Sequence, residues 1–249
     1  PDNAFYDPEF INSAEVGIKS RMLENSLQVN LTGFYYDYED MQVTDFLGGD
    51  TYTNNTDAEI MGVEGEFVFA PNERWLLQAN VAWLATEIKD FQGIDPTNPN
   101  QMGTSEGMVI IPPVTKIYLP CGCAGVPTDL SGNELANSPE WSVNLQASYG
   151  FSLSNGMGLN LAASYYWQDN FYASMFNLDH ELIDDWGIAS AWMTLTSAND
   201  SWYAEAFVKN IADDENITGQ GADGQSFGLA SSQFLMEPRT YGITLGYQF

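Results

Sequence analysis

The last residues of the chain carry its most constraining pattern. Tyr241, Ile243, Leu245, Tyr247 and Phe249 share one parity, and Gly242, Thr244, Gly246 and Gln248 the other. Alternation with a period of two places a wholly apolar face on one side of a β-strand. Residues 141–151 repeat it, with Trp141, Val143, Leu145, Ala147, Tyr149 and Phe151 against Ser142, Asn144, Gln146, Ser148 and Gly150. Residues 157–168 do so again, with Met157, Leu159, Leu161, Ala163, Tyr165 and Trp167 on the apolar side. The polar parity is small and uncharged rather than rich in Lys and Glu, which suits a wet interior better than bulk solvent. The pattern is less clean elsewhere. In 26–38 the apolar side is Leu27, Val29, Leu31, Gly33 and Tyr35, and in 74–86 both sides carry apolar residues.

This periodicity predicts nine strands, at roughly 14–22, 26–43, 52–69, 74–87, 139–152, 157–169, 184–197, 201–211 and 238–249. Their connections alternate in length. Residues 23–26 (LENS), 71–74 (PNER), 153–156 (LSNG) and 197–200 (SAND) are tight turns rich in Asn, Pro, Ser and Asp. Between them lie long polar loops at 44–51, 88–138, 170–183 and 212–237. A soluble sandwich has no reason to sort its loops by length. A transmembrane barrel does, with short periplasmic turns and long extracellular loops. No run of about 18 apolar residues marks a transmembrane helix, and the opening PDNAFYDPEF has neither the basic nor the apolar region of a signal peptide. The expected fold is therefore an all-β, transmembrane antiparallel barrel.

Short turns on the periplasmic side make the final strand run inward from outside. With nine strands the first does the same, which puts residue 1 on the extracellular side. A bacterial single-chain barrel closes with an even number of strands. The expectation is that residues 1–249 are the C-terminal part of a larger barrel. Aromatic placement agrees: Trp75, Trp202 and Phe249 fall near the short turns, and Trp141, Trp167 and Trp186 at the opposite strand ends. Two interfacial aromatic belts around an aliphatic band give this distribution. Trp83 and Trp192 fit it less well, lying nearer mid-strand.

Charge narrows the function. The chain has 34 acidic residues against 7 Lys and Arg, a formal net charge of −27. Phosphate binding needs a basic patch, so nucleic acid is excluded as a partner. Most of the acids fall in the long loops, where they set a negative mouth, bridge to lipopolysaccharide phosphates through divalent cations, or serve only solubility in a salty medium. No catalytic constellation is present, and the chain does not read as an enzyme. His180 is the only histidine and sits in a loop between Asp179 and Glu181, so no His pair can hold a metal. Glu64 and Glu66 share a parity and face the interior, where they contact water or other lumen groups; a general acid/base pair is the alternative, though the spacing is common by chance in strands. No cofactor is expected. Cys121 and Cys123 are the only cysteines. They form a loop disulfide in an oxidising exterior, at the cost of a small ring, or else stay as thiols or pair outside the chain. The loop aromatics Phe171, Tyr172, Phe176, Phe227 and Phe234 are the ligand-binding candidates, with packing of the loops upon themselves as the alternative. Asn54-Asn55-Thr56 and Asn216-Ile217-Thr218 match the glycosylation triplet by chance.

Four segments carry a family resemblance. AEVGIKSRMLENSLQVNLTGFYYDYEDMQV (14–43) resembles the late barrel of TonB-dependent outer-membrane receptors. NNTDAEIMGVEGEF (54–67) is similar to their Asn…Ala-x-x-x-Gly-x-Glu strand through Asn55, Ala58, Gly62 and Glu64. WYAEAFVKNIADDE (202–215) resembles the Trp…Val-Lys-Asn-Leu-x-Asp signature through Trp202, Val208, Lys209, Asn210, Ile211 and Asp213. EPRTYGITLGYQF (237–249) is similar to the C-terminal Pro-Arg-x-Tyr-Gly…Phe strand. The resemblance implies a barrel of about 22 strands with a plugged lumen, of which this chain is the last part. It further implies a plug domain, earlier barrel strands, contact with the TonB complex, and uptake of a scarce nutrient such as a siderophore, vitamin, haem or oligosaccharide. Tyr247 and Phe249 resemble the signal read by the barrel-assembly machinery. Outer-membrane lipid and lipopolysaccharide surround such a wall. A passive porin-like channel and a secreted all-β binding module are the other readings.

Overall fold

The computed structural model describes residues 6–47, 50–95, 109–111, 114–117, 127–223 and 230–247. Nine strands form one antiparallel sheet in simple sequence order. They are β1 (Phe10–Met22), β2 (Leu27–Leu47), β3 (Asp50–Asn72), β4 (Trp75–Asp90), β5 (Trp141–Ser152), β6 (Gly158–Gln168), β7 (Trp186–Thr196), β8 (Trp202–Lys209) and β9 (Thr240–Tyr247). Each pairs with the next by an up-and-down path, as alternating short and long connections require.

The tight turns at one end are closed by their own side chains. Asn72 Oδ1 accepts from the backbone N–H of Arg74 and Trp75, at 2.9 and 3.2 Å. Ser197 Oγ accepts from Trp202 N–H at 3.0 Å. The first turn places Leu23, Glu24 and Asn25 at positive φ, a left-handed run that only Asn among them tolerates well. Ser26 Oγ donates to Leu23 O at 2.6 Å and holds it.

Cross-strand register puts the apolar parities of all strands on one face. The rung Gly33, Val63, Trp83, Trp141 is continuous across β2 to β5. Another runs Ala147, Ala163, Ala191, Val208, Tyr241 across β5 to β9. Large apolar side chains stand in the open on this face, among them Val16 at 78 %, Ile243 at 76 % and Leu245 at 77 % exposure. The opposite face carries rungs such as Asn30, Glu66, Asn80, Asn144. Four glycines let aromatic rings lie against the neighbouring backbone. On the polar face, a Cβ at Gly62 would meet Phe34, and one at Gly242 would stand 2.8 Å from Phe207 Cζ. Tyr203 covers Gly246 more closely still, and Tyr165 covers Gly187 on the apolar face.

Two expectations are corrected here. The predicted loop at 44–51 is largely strand, because β2 and β3 run on with Thr44 opposite Thr53 and Leu47 opposite Asp50. Thr44, Phe46 and Thr51, with Val43 and Tyr52 on either side, favour extended backbone despite the two acids within the segment. Trp186 does not join the apolar face. It pairs with Gln168 and sets its ring 5.4 Å from Tyr166, on the polar side. Trp83, in contrast, lies directly opposite Trp141 and completes a belt with Trp167. Glu140 accepts from Trp83 Nε1 at 2.9 Å and Asp185 from Trp167 Nε1 at 3.1 Å. At the short-turn end, Trp75, Tyr149 and Phe151 stack edge to face with centroids 4.7 and 4.5 Å apart.

Candidate ligand-facing surfaces

The long-loop end holds a buried hydrophobic cluster. Val43, Ile88, Phe91 and Leu130 form it, with Met41, Leu135, Met175 and Phe176 packed against it. The segments after β4 and β6 are joined by hydrogen bonds over this cluster. Asn133 Nδ2 donates to Met175 O at 2.9 Å, Glu134 N–H to Asn177 Oδ1 at 2.7 Å, and Asn137 N–H to Tyr172 O at 2.8 Å. Glu181, nearly buried, accepts from Ser174 Oγ and ties the 171–183 hairpin to itself. At the surface, Asp129 receives Ser131 Oγ at 2.7 Å and Ser131 N–H at 3.0 Å. These two bonds hold its carboxyl below the usual aspartate value, the side-chain bond contributing most.

The loop aromatics divide. Phe171 is buried opposite Ile183, and Phe176 packs its ring against Gly93. Tyr172 is half-buried beside Leu182. Phe234 stands out at 62 % exposure on the hairpin of Ile217–Asp223 and Ala230–Leu235. Tyr247 is exposed on the apolar face opposite Trp202. Phe227, Phe249, Cys121 and Cys123 lie outside the described residues. His180 is exposed, its carbonyl accepting from Gln220 Nε2 at 3.2 Å. Among the described residues, no group of three His, Cys, Asp or Glu side chains is placed to hold a metal.

The polar face adds aromatic residues beyond those of the loops. Towards the long loops it carries Phe34 stacked on Tyr36 at 5.0 Å, then Tyr38, and across the sheet Tyr166 beside Trp186. Tyr36 donates to Glu15 Oε1 and Tyr166 to Gln168 Oε1, both at 2.9 Å. Towards the short turns the same face adds amides and a carboxylate, Gln78, Gln146, Asn160 and Glu205, beside Leu76 and Tyr203. Glu64 and Glu66 stand on it, as their parity predicts, with Asn30 Nδ2 donating to Glu66 Oε2 at 2.9 Å. The signal was in the sequence. Phe34, Tyr36 and Tyr38 interrupt an otherwise polar parity in β2.

An apolar face between two aromatic belts, backed by a polar face, is the wall of a transmembrane β-barrel. The family model described as TonB dependent receptor-like, beta-barrel matches residues 1–211, and the chain belongs to that family. Its fold is that of several solved receptors. The siderophore receptor PiuA from Acinetobacter baumannii superposes with a TM-score of 0.66 at 18 % identity, over 98 % of this chain and 29 % of that one. The ferric yersiniabactin uptake receptor FyuA from Yersinia pestis gives 0.67 at 15 % identity, over 95 % and 29 %. The copper transporter OprC gives 0.66 at 14 % identity, over 99 % and 32 %. The chain thus spans less than a third of the length of each. No curated protein matches the sequence.

Proposed function

We propose that this chain is the C-terminal barrel wall of an outer-membrane receptor that takes up a scarce nutrient with TonB-coupled energy, and that the nutrient is a metal chelate of the siderophore class. The observation that carries the reading is membership of the receptor family, set beside an inner wall whose aromatic end lies under the long loops. The long loops are extracellular and the tight turns periplasmic. The belts then anchor in lipid on one side and in lipopolysaccharide on the other, and Tyr247 with Phe249 serves the barrel-assembly machinery.

In this reading the wall closes its backbone hydrogen bonds with earlier strands of the full protein, and a plug domain occupies the lumen. Phe234 and Tyr172 meet the chelate first, while Phe171 and Phe176 position the loops by packing; Phe227 is the remaining loop candidate. The ligand then reaches Phe34, Tyr36, Tyr38, Tyr166 and Trp186, whose rings and hydroxyls suit a flat, partly aromatic chelate. TonB acting on the plug opens the way inward.

The test is uptake by cells whose only receptor of this kind is the full-length protein. A panel of radiolabelled ferric chelates should give saturable uptake of one class, abolished when TonB is deleted. Uptake of small solutes that is non-saturable and indifferent to TonB would support a passive channel instead. A chain that stays monodisperse without detergent would point to a secreted binding module.

A further inference from the structure

We propose that the apolar face carries a seat for one phospholipid, with its phosphate on Arg74 at the short-turn end and an acyl chain laid in a trough over β5 and β6. Register makes the trough. Ala147, Ala163 and Ala191 fall on one rung. Rungs of larger side chains flank it, with Trp75, Tyr149 and Leu161 towards the short turns and Leu145 and Tyr165 on the other side. Two hollows of about 650 and 590 Å³ meet over Ala147 and Ala163. The larger runs from Phe69 on β3 to Ala189 on β7, about 19 Å at the spacing of neighbouring strands. The smaller opens beside Trp75 and Phe151. Left empty, such hollows forfeit dispersion contacts that a hydrocarbon chain supplies. The convex wall of another barrel would bridge the trough without filling it.

Charge sets the head end. Arg74 closes the turn before β4, donating its N–H to Asn72 Oδ1 at 2.9 Å and accepting from Gly150 N–H at 2.8 Å. Its guanidinium is hydrogen-bonded to the Tyr149 hydroxyl. Tyr149 stands on the apolar face between Trp75 and Phe151, so Arg74 is drawn to the outer side of the sheet at the level of the aromatic belt. Lys19 and Arg21, also near that end, pair with Asn30 and Gln28 and take the polar parity. Among the described residues, Arg74 is then the basic side chain that the short-turn end shows to lipid. A guanidinium has donors to spare beyond the bond to Tyr149 and pairs bidentately with phosphate. Tyr149 lies two residues along β5 from Ala147, about 7 Å, so a phosphate on Arg74 brings its acyl chains to the trough. A neutral lipid fills the trough and leaves the arginine unmatched. Inorganic phosphate does the reverse.

The proposal rests on the barrel-wall reading in one respect, that the apolar face meets lipid. The test places the full-length protein in phosphatidylcholine vesicles with a trace of one of two photoprobes. One is phosphatidylcholine with a diazirine midway along an acyl chain, and the other is diacylglycerol bearing the same chain. After irradiation, peptide mapping compares label at Ala147 and Ala163 with label at Ile243 and Leu245, on the same face of β9. That ratio should be about tenfold higher for the phospholipid than for diacylglycerol, as one charge-assisted interaction implies. Arg74→Gln should abolish the excess and Arg74→Lys should keep most of it. Resistance of each variant to unfolding in warm detergent confirms that the barrel has formed. A ratio equal for both probes, or unchanged by Arg74→Gln, overturns the seat and leaves the wall standing. So does a trough spared by both probes in protein that crosslinks as a dimer, which gives its place to a second copy. Absence of label from the trough and β9 alike removes the lipid-facing wall as well.

Discussion

Arg239 closes on Asp213 from two directions. Its backbone N–H donates to Asp213 Oδ1 at 2.8 Å and its guanidinium to Oδ2 at 3.2 Å, while a further guanidinium nitrogen reaches Ile211 O at 3.2 Å. Beside it Asn210, fully buried, donates to Asp214 O and Glu237 O and accepts from Asp214 N–H. The two ends of the loop between β8 and β9 are thereby fastened together. This gives the Lys209-Asn210-Ile211-x-Asp213 and Pro238-Arg239 sequences a common physical meaning.

The two contacts should differ in weight. Arg239 and Asp213 are both about half exposed, so Arg239→Ala should cost only about 0.5 kcal/mol. Asn210→Ala strands two carbonyls and an N–H in a buried place and should cost about 2–3 kcal/mol. Urea unfolding of the full-length protein in lipid vesicles measures both. Equal losses would mean that the loop is not held through Asn210.

Glycines beneath aromatic rings should resist substitution where others do not. Gly242→Ala and Gly246→Ala push a methyl into Phe207 and Tyr203 and should each cost about 1–3 kcal/mol. Gly158→Ala meets nothing nearer than 4.0 Å and should be nearly silent. The folded fraction resisting warm detergent on a gel reads the difference.

How much of this was legible varied along the chain. β5, β6 and β9 could be read to within a few residues, because their inward parity is small and polar and their outward parity is apolar throughout. β4 resisted because Leu76, Ala82 and Leu84 put apolar residues on the inner side as well. Trp186 was misplaced because a tryptophan at a strand end looks the same on either face until its partner, Gln168, is known. The inner-wall aromatics could be found by parity in β2, but Tyr166 joins Trp186 only through cross-strand register.

Position on the wall should decide the cost of a charge. Ala163→Arg, mid-strand on the apolar face, should destabilise the inserted protein by about 2–4 kcal/mol. Gln146→Arg, on the polar face at a similar height, should cost far less. Vesicle unfolding as above compares them, and similar costs would place both residues in one environment.

The surface of the loop platform should respond to acid. The carboxyl of Asp129 is held low by Ser131, so the linked stabilisation is present above the unfolded aspartate value and is lost as pH falls through the lower folded one. Ser131→Ala should move the Asp129 titration, followed by carboxyl NMR, up towards the ordinary value. No movement would mean that the two hydrogen bonds do not form in solution.

The apolar-out wall is tested most directly by nitroxide scanning of β6 in the full-length protein in lipid vesicles. Labels at Leu159, Leu161, Ala163 and Tyr165 should be relaxed by oxygen, which concentrates in lipid. Labels at Asn160, Ala162, Ser164 and Tyr166 should respond instead to a water-soluble nickel chelate or be shielded from both. Alternation with a period of two is the predicted result. Equal accessibility of both sets, or a period of 3.6 residues, would contradict the barrel wall.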